Sequence, residues 1–76
     1  MVIKVCGPGC AACDKTKAVV EAAVAAKGVG AAIVKVSDFR EMAQLGVFST
    51  PAVVINEVVK CVGRVPKQEE VEAWLD

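Results

Sequence analysis

Gly7-Pro8-Gly9-Cys10-Ala11-Ala12-Cys13 joins an apolar stretch of the chain to an alanine-rich one. Residues 1–6 before it are β-branched and almost wholly apolar, which predicts a buried strand. The stretch from Asp14 to Lys27 has no glycine or proline, which predicts a helix that ends at Gly28. The two cysteines of this Cys-x-x-Cys motif are therefore expected where a strand ends and a helix begins. Free backbone N–H groups and the helix dipole stabilise a thiolate at such a point, so Cys10 is expected to be the more acidic and more exposed thiol.

The composition restricts the class of protein. With 76 residues, 55% of them hydrophobic, the chain is expected to form a single domain over residues 1–76. Nine basic and nine acidic residues give zero net charge, which argues against a nucleic-acid or anionic-membrane surface. There is no leader pattern and no apolar run of membrane-spanning length, so a soluble cytoplasmic protein is expected. In a reducing cytosol, a Cys-x-x-Cys motif points to redox catalysis or metal binding rather than to a structural disulfide.

A second buried strand is predicted over Ala31-Ala32-Ile33-Val34-Lys35-Val36, reached through the turn Gly28-Val29-Gly30. Two strands separated by a helix form a βαβ unit, whose strands are parallel. Ser37 or Asp38 is then predicted to cap a short helix that Gly46 ends.

This second helix carries its apolar residues at helical spacing. Phe39, Met42 and Leu45 are placed to share one face, and they are expected to be core contacts.

The C-terminal third reads as a hairpin followed by a helix. Ala52-Val53-Val54-Ile55 and Val58-Val59-Lys60-Cys61-Val62 flank the turn Asn56-Glu57, where a positive φ is needed at position 57. Pro66 suits the first position of a last helix, whose buried stripe is predicted to be Val71, Trp74 and Leu75. The predicted order of elements is therefore β-α-β-α-β-β-α.

These features together resemble the minimal thioredoxin/glutaredoxin-like family, the short redox-active disulfide proteins of archaea and bacteria. The resemblance rests on the Cys-x-x-Cys motif after the first strand, Thr50-Pro51 at the start of the third, and Val62-Gly63-Arg64-Val65-Pro66 before a terminal helix. It covers essentially the whole chain. It implies an α/β fold with a four-stranded mixed sheet in the order 2-1-3-4, helices on both faces, and a cis peptide bond before Pro51.

The resemblance also implies a function, that of a thiol-disulfide oxidoreductase and most simply a small thioredoxin-like reductant. Cys10 matches the attacking nucleophile of the family and Cys13 the resolving thiol, while Thr50 and Pro51 match the residues that position the partner's extended chain. No cofactor beyond a redox-active Cys10–Cys13 disulfide and no metal are implied. The expected partners of this monomer are protein disulfides and a thioredoxin-reductase-like flavoenzyme or another reductase, with no nucleic acid and no membrane.

The chain departs from the family pattern at several positions. Typical thioredoxins carry Trp before the motif and Gly-Pro inside it, where this chain has Gly9 and Ala11-Ala12. They also keep a buried Asp in the first strand as a proton relay, and the matching position here is Lys4. Asp14 would oppose a Cys10 thiolate if it lay close, although it is expected to be a solvated helix charge.

Two further cysteines, Cys6 and Cys61, are expected to be inert buried thiols in strands. In the 2-1-3-4 order one strand separates theirs, so their backbones are ~10 Å apart, which is too far for an undistorted disulfide. The alternative for Cys6 is exchange with the active pair under oxidation, since the intervening Gly-Pro-Gly loop is short.

The main alternative function is a soft-metal carrier that binds Cu(I) or zinc through the same two thiols. Small heavy-metal-associated domains also place a Cys-x-x-Cys motif at their first helix. They close with a strand, however, whereas this chain closes with the predicted helix from Pro66 to Leu75, and they usually carry Met where this chain has Pro8. A third alternative, a non-catalytic interaction module, is disfavoured because both thiols are present.

Overall fold

The computed structural model describes residues 1–8 and 11–75 of the chain. Along these residues four strands and three helices follow one another: β1 (Val2–Cys6), α1 (Ala11–Lys27), β2 (Ala32–Val36), α2 (Phe39–Gln44), β3 (Ala52–Ile55), β4 (Val58–Val62) and α3 (Gln68–Trp74). The strands form one mixed sheet in the order β2-β1-β3-β4, in which β1 and β2 are parallel and the other pairs antiparallel. The predicted α/β class, element order and sheet order are confirmed.

One face of the sheet packs against α1 and α3. Successive side chains of a strand point to opposite faces, and Ile3 and Val5 of β1 point toward α1, where they meet Val20 and Ala23. The buried residues of this α1/α3 face are Ile3, Val5, Val20, Ala23, Val53, Ile55, Cys61, Val71 and Leu75. This larger cluster lies beneath the helix that begins at the Cys-x-x-Cys motif.

Among the described residues, the other face packs against one helix, the six-residue α2, and the segment that follows it. Asp38 caps this helix, since its carboxylate accepts a hydrogen bond of 2.8 Å from the backbone N–H of Arg40. The buried residues of this α2 face are Cys6, Val36, Met42, Val47, Ala52 and Val54. Because α2 is short, the cluster is smaller and part of this face remains open.

The structure corrects the predicted core role of Phe39. Met42 is buried and Leu45 is partly buried, as expected, but the side chain of Phe39 is 70% exposed. Phe39 is the first residue of α2. Helical spacing puts it on the same side as Met42, but at the helix start it is not covered by the sheet.

The structure also corrects the prediction that β2 is buried. Only Val36 of this strand is buried, while Ala32, Val34 and Lys35 are exposed. The strand lies at the edge of the sheet, and the open part of the α2 face leaves Val34 uncovered. The boundary also shifts by one residue, from Ala31 to Ala32.

The hairpin turn between β3 and β4 has the predicted backbone. Both Asn56 and Glu57 have positive φ, at 48° and 69°. The side chain of Asn56 accepts a hydrogen bond of 3.0 Å from the N–H of Val2, and Glu57 pairs with Lys4 at 3.2 Å. These contacts attach the turn to the start of β1.

The last helix begins later than predicted. Its N-cap is Lys67, so Pro66 precedes the cap rather than occupying the first helical position. The carboxylate of Glu70 accepts a hydrogen bond of 3.1 Å from the N–H of Lys67, which sets the start of the helix. Val71 and Leu75 are buried and Trp74 is partly buried. No helix in residues 1–8 and 11–75 is both long and apolar enough to cross a membrane.

Candidate functional site

Of the two predicted reactive cysteines, Cys10 lies outside the described residues, while Cys13 lies within them. Cys13 is the third residue of α1 and its side chain is fully buried. A buried sulfur in the first turn of a helix suits the resolving thiol, which reacts inside the protein rather than with solvent. The structure thus places the predicted resolving residue at the strand-to-helix junction.

Gly7 makes room for the sulfur of Cys13. A Cβ atom added at Gly7 would overlap the Sγ atom of Cys13 and would lie 3.0 Å from its Cβ atom. The backbone N–H of Gly7 donates a hydrogen bond of 2.8 Å to the carbonyl of Val36, so the glycine is held against β2. Only a residue without a side chain fits this position with the helix where it is. Its role was not predicted from the sequence, because the contact depends on the tertiary packing of α1.

The Thr50-Pro51 loop is the second part of the site. The peptide bond between Thr50 and Pro51 is cis, which is the geometry that the family resemblance implies. The Cβ of Thr50 lies 3.8 Å from the Cβ position at Gly7, the same position that the sulfur of Cys13 approaches. Gly7, Cys13 and Thr50 therefore converge. Within the described part of the chain, the backbone N–H and C=O of Thr50 take part in none of the loop or strand hydrogen bonds.

The end of β4 holds this loop in place. The N–H of Gly63 donates a hydrogen bond of 2.8 Å to the carbonyl of Pro51. Gly63 has a φ of +77°, a conformation that favours glycine, and its Cβ position would contact Ser49 at 3.6 Å. The loop that carries Thr50 is thus supported by a specific backbone contact on its far side.

The connection from β4 to α3 is stabilised by an ion pair. Arg64 donates two parallel hydrogen bonds, of 2.9 and 2.7 Å, to the carboxylate of Glu70. These bonds, with the N–H of Lys67, lower the pKa of Glu70 from 4.5 to about 2. The thiol of Cys61 donates a hydrogen bond of 3.3 Å to the carbonyl of Arg64. The segment after Gly63 is therefore tied to both α3 and β4.

Asp14 of α1 forms an ion pair with a lysine of β2. Asp14, which follows Cys13 in α1, lies 3.6 Å from the ammonium of Lys35 on β2. Both side chains are partly exposed, so the pair is screened by solvent. Lys35 therefore offsets part of the negative charge that Asp14 brings to the first turn of the helix.

Lys4 is not placed as a proton relay for Cys13. It lies between Val34 and Val54 in the sheet, and Val54 belongs to the α2 face. Its ammonium pairs with Glu57 in the hairpin turn. Among the described residues, the only buried polar side chain is that of Thr16, which donates a hydrogen bond of 2.8 Å to the carbonyl of Ala12. The buried carboxylate of typical thioredoxins has no counterpart in this part of the chain.

The other two cysteines lie on opposite faces of the sheet. Cys6 belongs to the α2 face and Cys61 to the α1/α3 face, with β3 between their strands. Burial raises the pKa of both thiols above the usual value. Cys6 also points away from the face that carries Cys13. These positions support the expectation of inert structural thiols rather than exchange of Cys6 with the active pair.

A groove beside Thr50 was not predicted from the sequence. It has a volume of about 300 Å³ and runs between α2 and the Thr50-Pro51 loop. Phe39 and Phe48 line it, and both are exposed. Phe39 was assigned to the core by its spacing and Phe48 was not singled out. The available signal in the sequence was Phe48, a large apolar residue two positions before the Thr50-Pro51 pair.

The described residues contain no group of three or more His, Cys, Asp or Glu side chains placed to hold a metal ion. Cys10 is not among these residues.

Comparison with known proteins gives consistent matches. The family model for the thioredoxin domain matches residues 1–76. The chain is 40% identical over 75 residues to a thioredoxin of Methanocaldococcus jannaschii, in an alignment that covers 99% of this chain and 86% of that protein. It is 28% identical over 75 residues to a thioredoxin of Methanothermobacter thermautotrophicus, covering 99% of this chain and 97% of that protein. These matches extend over the strand, helix and loop that form the site.

Proposed function

Because this chain belongs to the thioredoxin family, we propose that it is a thiol-disulfide oxidoreductase that uses Cys10 and Cys13 to reduce disulfides of partner proteins. The observation that carries the proposal is that the buried Cys13 and the Cβ of Thr50 both lie next to the Cβ position at Gly7. A thiol so enclosed is suited to attack a neighbouring sulfur of its own chain. The thioredoxin match gives no support to the alternative of a soft-metal carrier.

The reaction runs in two exchanges. The thiolate of Cys10 attacks one sulfur of the partner disulfide, which forms a mixed disulfide and releases the partner's other sulfur as a thiolate. The thiolate of Cys13 then attacks the sulfur of Cys10, which forms the Cys10–Cys13 disulfide and releases the partner's second thiolate. Two electrons and, after protonation, two protons pass to the partner. A reductase or small dithiol must then reduce the Cys10–Cys13 disulfide.

Thr50 and Pro51 are the proposed positioning residues. The backbone N–H and C=O of Thr50 are available to pair with an extended segment of the partner, as an added strand pairs with a sheet edge. Because the Cβ of Thr50 lies 3.8 Å from the Cβ position at Gly7, which the sulfur of Cys13 approaches, a segment paired with Thr50 would lie close to Cys13. The hydrogen bond from Gly63 to Pro51 keeps this loop in position.

Proton transfer is proposed to proceed without a buried carboxylate. In typical thioredoxins such a group accepts the proton of the resolving thiol, but the matching Lys4 faces the other side of the sheet. The proton of Cys13 is therefore passed to solvent or to the thiolate that leaves the partner.

The proposed role also defines the partners of the protein and the compartment in which it works. A small monomeric reductant needs no cofactor beyond its own disulfide, and its partners are protein disulfides on one side and a thioredoxin-reductase-like flavoenzyme or another reductase on the other. A reducing cytoplasm fits this role. The reduction potential separates the two directions, since a value near ~−270 mV favours a reductant and one near ~−120 mV an oxidant.

The test is an insulin-disulfide reduction assay with dithiothreitol as the electron source. We expect Cys10→Ser to abolish catalysed reduction, because it removes the attacking thiol. Cys13→Ser, reduced beforehand and mixed with insulin in the absence of dithiothreitol, should accumulate a mixed disulfide with insulin that resolves only when a thiol is added. Cys61→Ser is the control, since that buried thiol lies outside the site, and it should retain the wild-type rate. Full turnover by Cys13→Ser without a trapped adduct would refute the two-thiol mechanism.

A further inference from the structure

A threonine interrupts the buried stripe of α1. The buried residues of this helix recur at spacings of three and four and so share one face: Cys13, Thr16, Val20 and Ala23. Thr16 is fully buried, and its side chain is the only buried polar one in residues 1–8 and 11–75. It lies about one helical turn after Cys13, next to the proposed site.

The hydroxyl of Thr16 is directed into the Cys-x-x-Cys motif. It donates a hydrogen bond of 2.8 Å to the carbonyl oxygen of Ala12, one of the two residues between the cysteines. In an α-helix the same carbonyl accepts the N–H of the residue four positions later, which is also Thr16. The carbonyl of Ala12 is therefore polarised by two donors, whereas regular helical hydrogen bonding supplies one.

Packing alone does not require a hydroxyl at this position. Valine has nearly the same shape as threonine, and Val20 occupies the next position of the same buried stripe. A buried hydroxyl costs free energy unless it is hydrogen-bonded, and a hydroxyl bonded to the preceding turn slightly destabilises a helix. The hydroxyl of Thr16 is thus better explained by an effect on the motif than by an effect on the core.

We propose that Thr16 is a positioning residue that strengthens the backbone N–H of Cys13 as a hydrogen-bond donor and thereby stabilises the thiolate of Cys10. The inference rests on the proposed exchange reaction and adds a residue that sets how readily its first step occurs. Thr16 touches neither the partner nor the reacting sulfur of Cys10 in this role, and acts through the peptide group between them.

The link between Thr16 and the N–H of Cys13 is a single peptide group. The carbonyl of Ala12 and the N–H of Cys13 belong to the same amide, and its two ends polarise together because the C–N bond has partial double-bond character. Hydrogen bonds in such a chain strengthen one another, by roughly 10–30% per bond. A second donor on the carbonyl of Ala12 therefore makes the N–H of Cys13 a stronger donor.

The N–H of Cys13 belongs to the first turn of α1, where N–H groups point toward the residue that precedes the helix. In the sequence, Cys10 directly precedes Ala11, the first residue of α1. A side chain at such a position accepts a hydrogen bond from the second or third residue of the helix, and Cys13 is the third. A hydrogen bond to a thiolate favours the charged form, which lowers the pKa of the thiol.

Two substitutions separate the hydroxyl of Thr16 from its packing. Thr16→Val nearly keeps the shape of the side chain and removes the hydroxyl, whereas Thr16→Ser keeps the hydroxyl and removes a buried methyl group. If Thr16 serves packing alone, Thr16→Ser is the more affected variant in every measurement. If Thr16 acts through the carbonyl of Ala12, Thr16→Val loses thiolate stabilisation and Thr16→Ser keeps it.

The experiment measures how fast iodoacetamide alkylates the reduced protein between about pH 5 and about pH 10, with peptide mapping by mass spectrometry to assign the product to Cys10. The midpoint of the pH profile gives the pKa of Cys10. Thr16→Val should raise this pKa by about 0.3, because one charge-assisted hydrogen bond becomes weaker by roughly a fifth. Thr16→Ser should keep the wild-type pKa, although its urea midpoint should be lower because a buried methyl group is lost.

The charged side chains on the first turns of α1 and on the elements packed against it are the same in all variants. Within the described part of the chain they are Lys4 of β1, Asp14, Lys15 and Lys17 of α1, Lys35 of β2, and Glu69, Glu70 and Glu72 of α3. Because their titration contributes equally to every profile, a difference between the variants reports the hydroxyl. Circular dichroism verifies folding, and Thr16→Ala, which also lacks the hydroxyl, should show the same raised pKa as Thr16→Val.

Insulin reduction by the same proteins separates this inference from the proposed function. If the wild type reduces insulin but Thr16→Val keeps the wild-type pKa of Cys10 within about 0.1, the inference is wrong and the exchange reaction stands. The same conclusion follows if Thr16→Ser raises this pKa as much as Thr16→Val does, or if Thr16→Val slows only the release of insulin from the mixed disulfide, which Cys13 carries out. If the wild type does not reduce insulin, the proposed function fails and the inference falls with it.

Discussion

The two faces of the sheet are built differently. The α1/α3 face is covered by a 17-residue helix and a seven-residue helix, and it encloses nine buried residues of the described chain. The α2 face has one six-residue helix and six buried residues in the described chain, and its cover stops at the groove that Phe39 and Phe48 line. The α1/α3 face, which we call the closed face, therefore contains most of the buried apolar residues. The α2 face, which we call the open face, carries accessible apolar surface.

The two faces differ in their proposed roles: the closed face supports the site, and the open face contacts the partner. Cys13 belongs to the helix of the closed face, where packing determines the position of its sulfur. Thr50 and the groove lie at the edge of the open face, where a partner can approach. The proposed site thus lies where the well-packed face meets the accessible one, an arrangement typical of functional residues that a stable scaffold positions.

The largest expected effect is a loss of folding stability, compared between two substitutions of buried residues, one on each face. Ile3→Ala on the closed face should lower the free energy of unfolding by about 3–4 kcal/mol, because helices on one side and the sheet on the other prevent the cavity from collapsing. Met42→Ala on the open face should cost only about 2 kcal/mol, because the floor of the groove can relax. Urea denaturation of both variants measures the two values. An equal or larger loss for Met42→Ala would show that the open face is packed as tightly as the closed one.

The second prediction concerns the junction between β1 and α1. Gly7→Ala places a methyl group on the sulfur of Cys13, so α1 must shift or the backbone must bend. We expect a loss of about 1–3 kcal/mol in the free energy of unfolding, as for other overpacked sites. Release of the partner from the mixed disulfide should also slow, since Cys13 carries out that step in the proposed mechanism.

Gly30→Ala is the matched control for this prediction. Nothing lies within 4 Å of the Cβ position at Gly30, so the same chemical change should leave stability and turnover near the wild-type values. Stopped-flow measurement of the second exchange, with urea denaturation of both variants, tests the claim. If Gly7→Ala resolves the mixed disulfide as fast as Gly30→Ala does, the close contact with Cys13 has no catalytic role.

The sequence predicted the features that depend on local pattern. The strand before the motif, the helix after it, and the positive φ at Glu57 follow from apolar runs, breakers and turn length. The sheet order came from the resemblance to a family, and the structure confirms it.

The exposure of side chains was predicted poorly where it depends on which other elements cover a helix or strand. The exposure of Phe39 and Val34 depends on how far α2 extends over the sheet. The periodicity of apolar residues gives no information about that extent. The role of Gly7 depends on how α1 packs against the end of β1, and the groove lined by Phe39 and Phe48 depends on the path of residues 39–50 over the sheet. Local sequence pattern shows neither. Cys10 was assigned from the motif alone, and its role stays a prediction.

The smallest expected effect is on the pH dependence of folding stability. It arises from the ion pair of Arg64 and Glu70 at the edge of the closed face. The folded state lowers the pKa of Glu70 from 4.5 to about 2. A carboxylate with a depressed pKa contributes stability above its unfolded value, and that contribution is lost as the pH falls toward the folded value. The wild type should therefore lose part of its stability between about pH 4.5 and pH 2 through this group.

Glu70→Gln removes this titration, so its urea midpoint should change less than that of the wild type between pH 5 and about pH 2.5. The effect is small because the ion pair is exposed, and about 0.5 M salt should reduce it further. Glu69→Gln is the control, since it removes a neighbouring exposed carboxylate of α3 and leaves the Arg64 pair intact. If both variants show the same pH dependence, the pair does not contribute to acid stability.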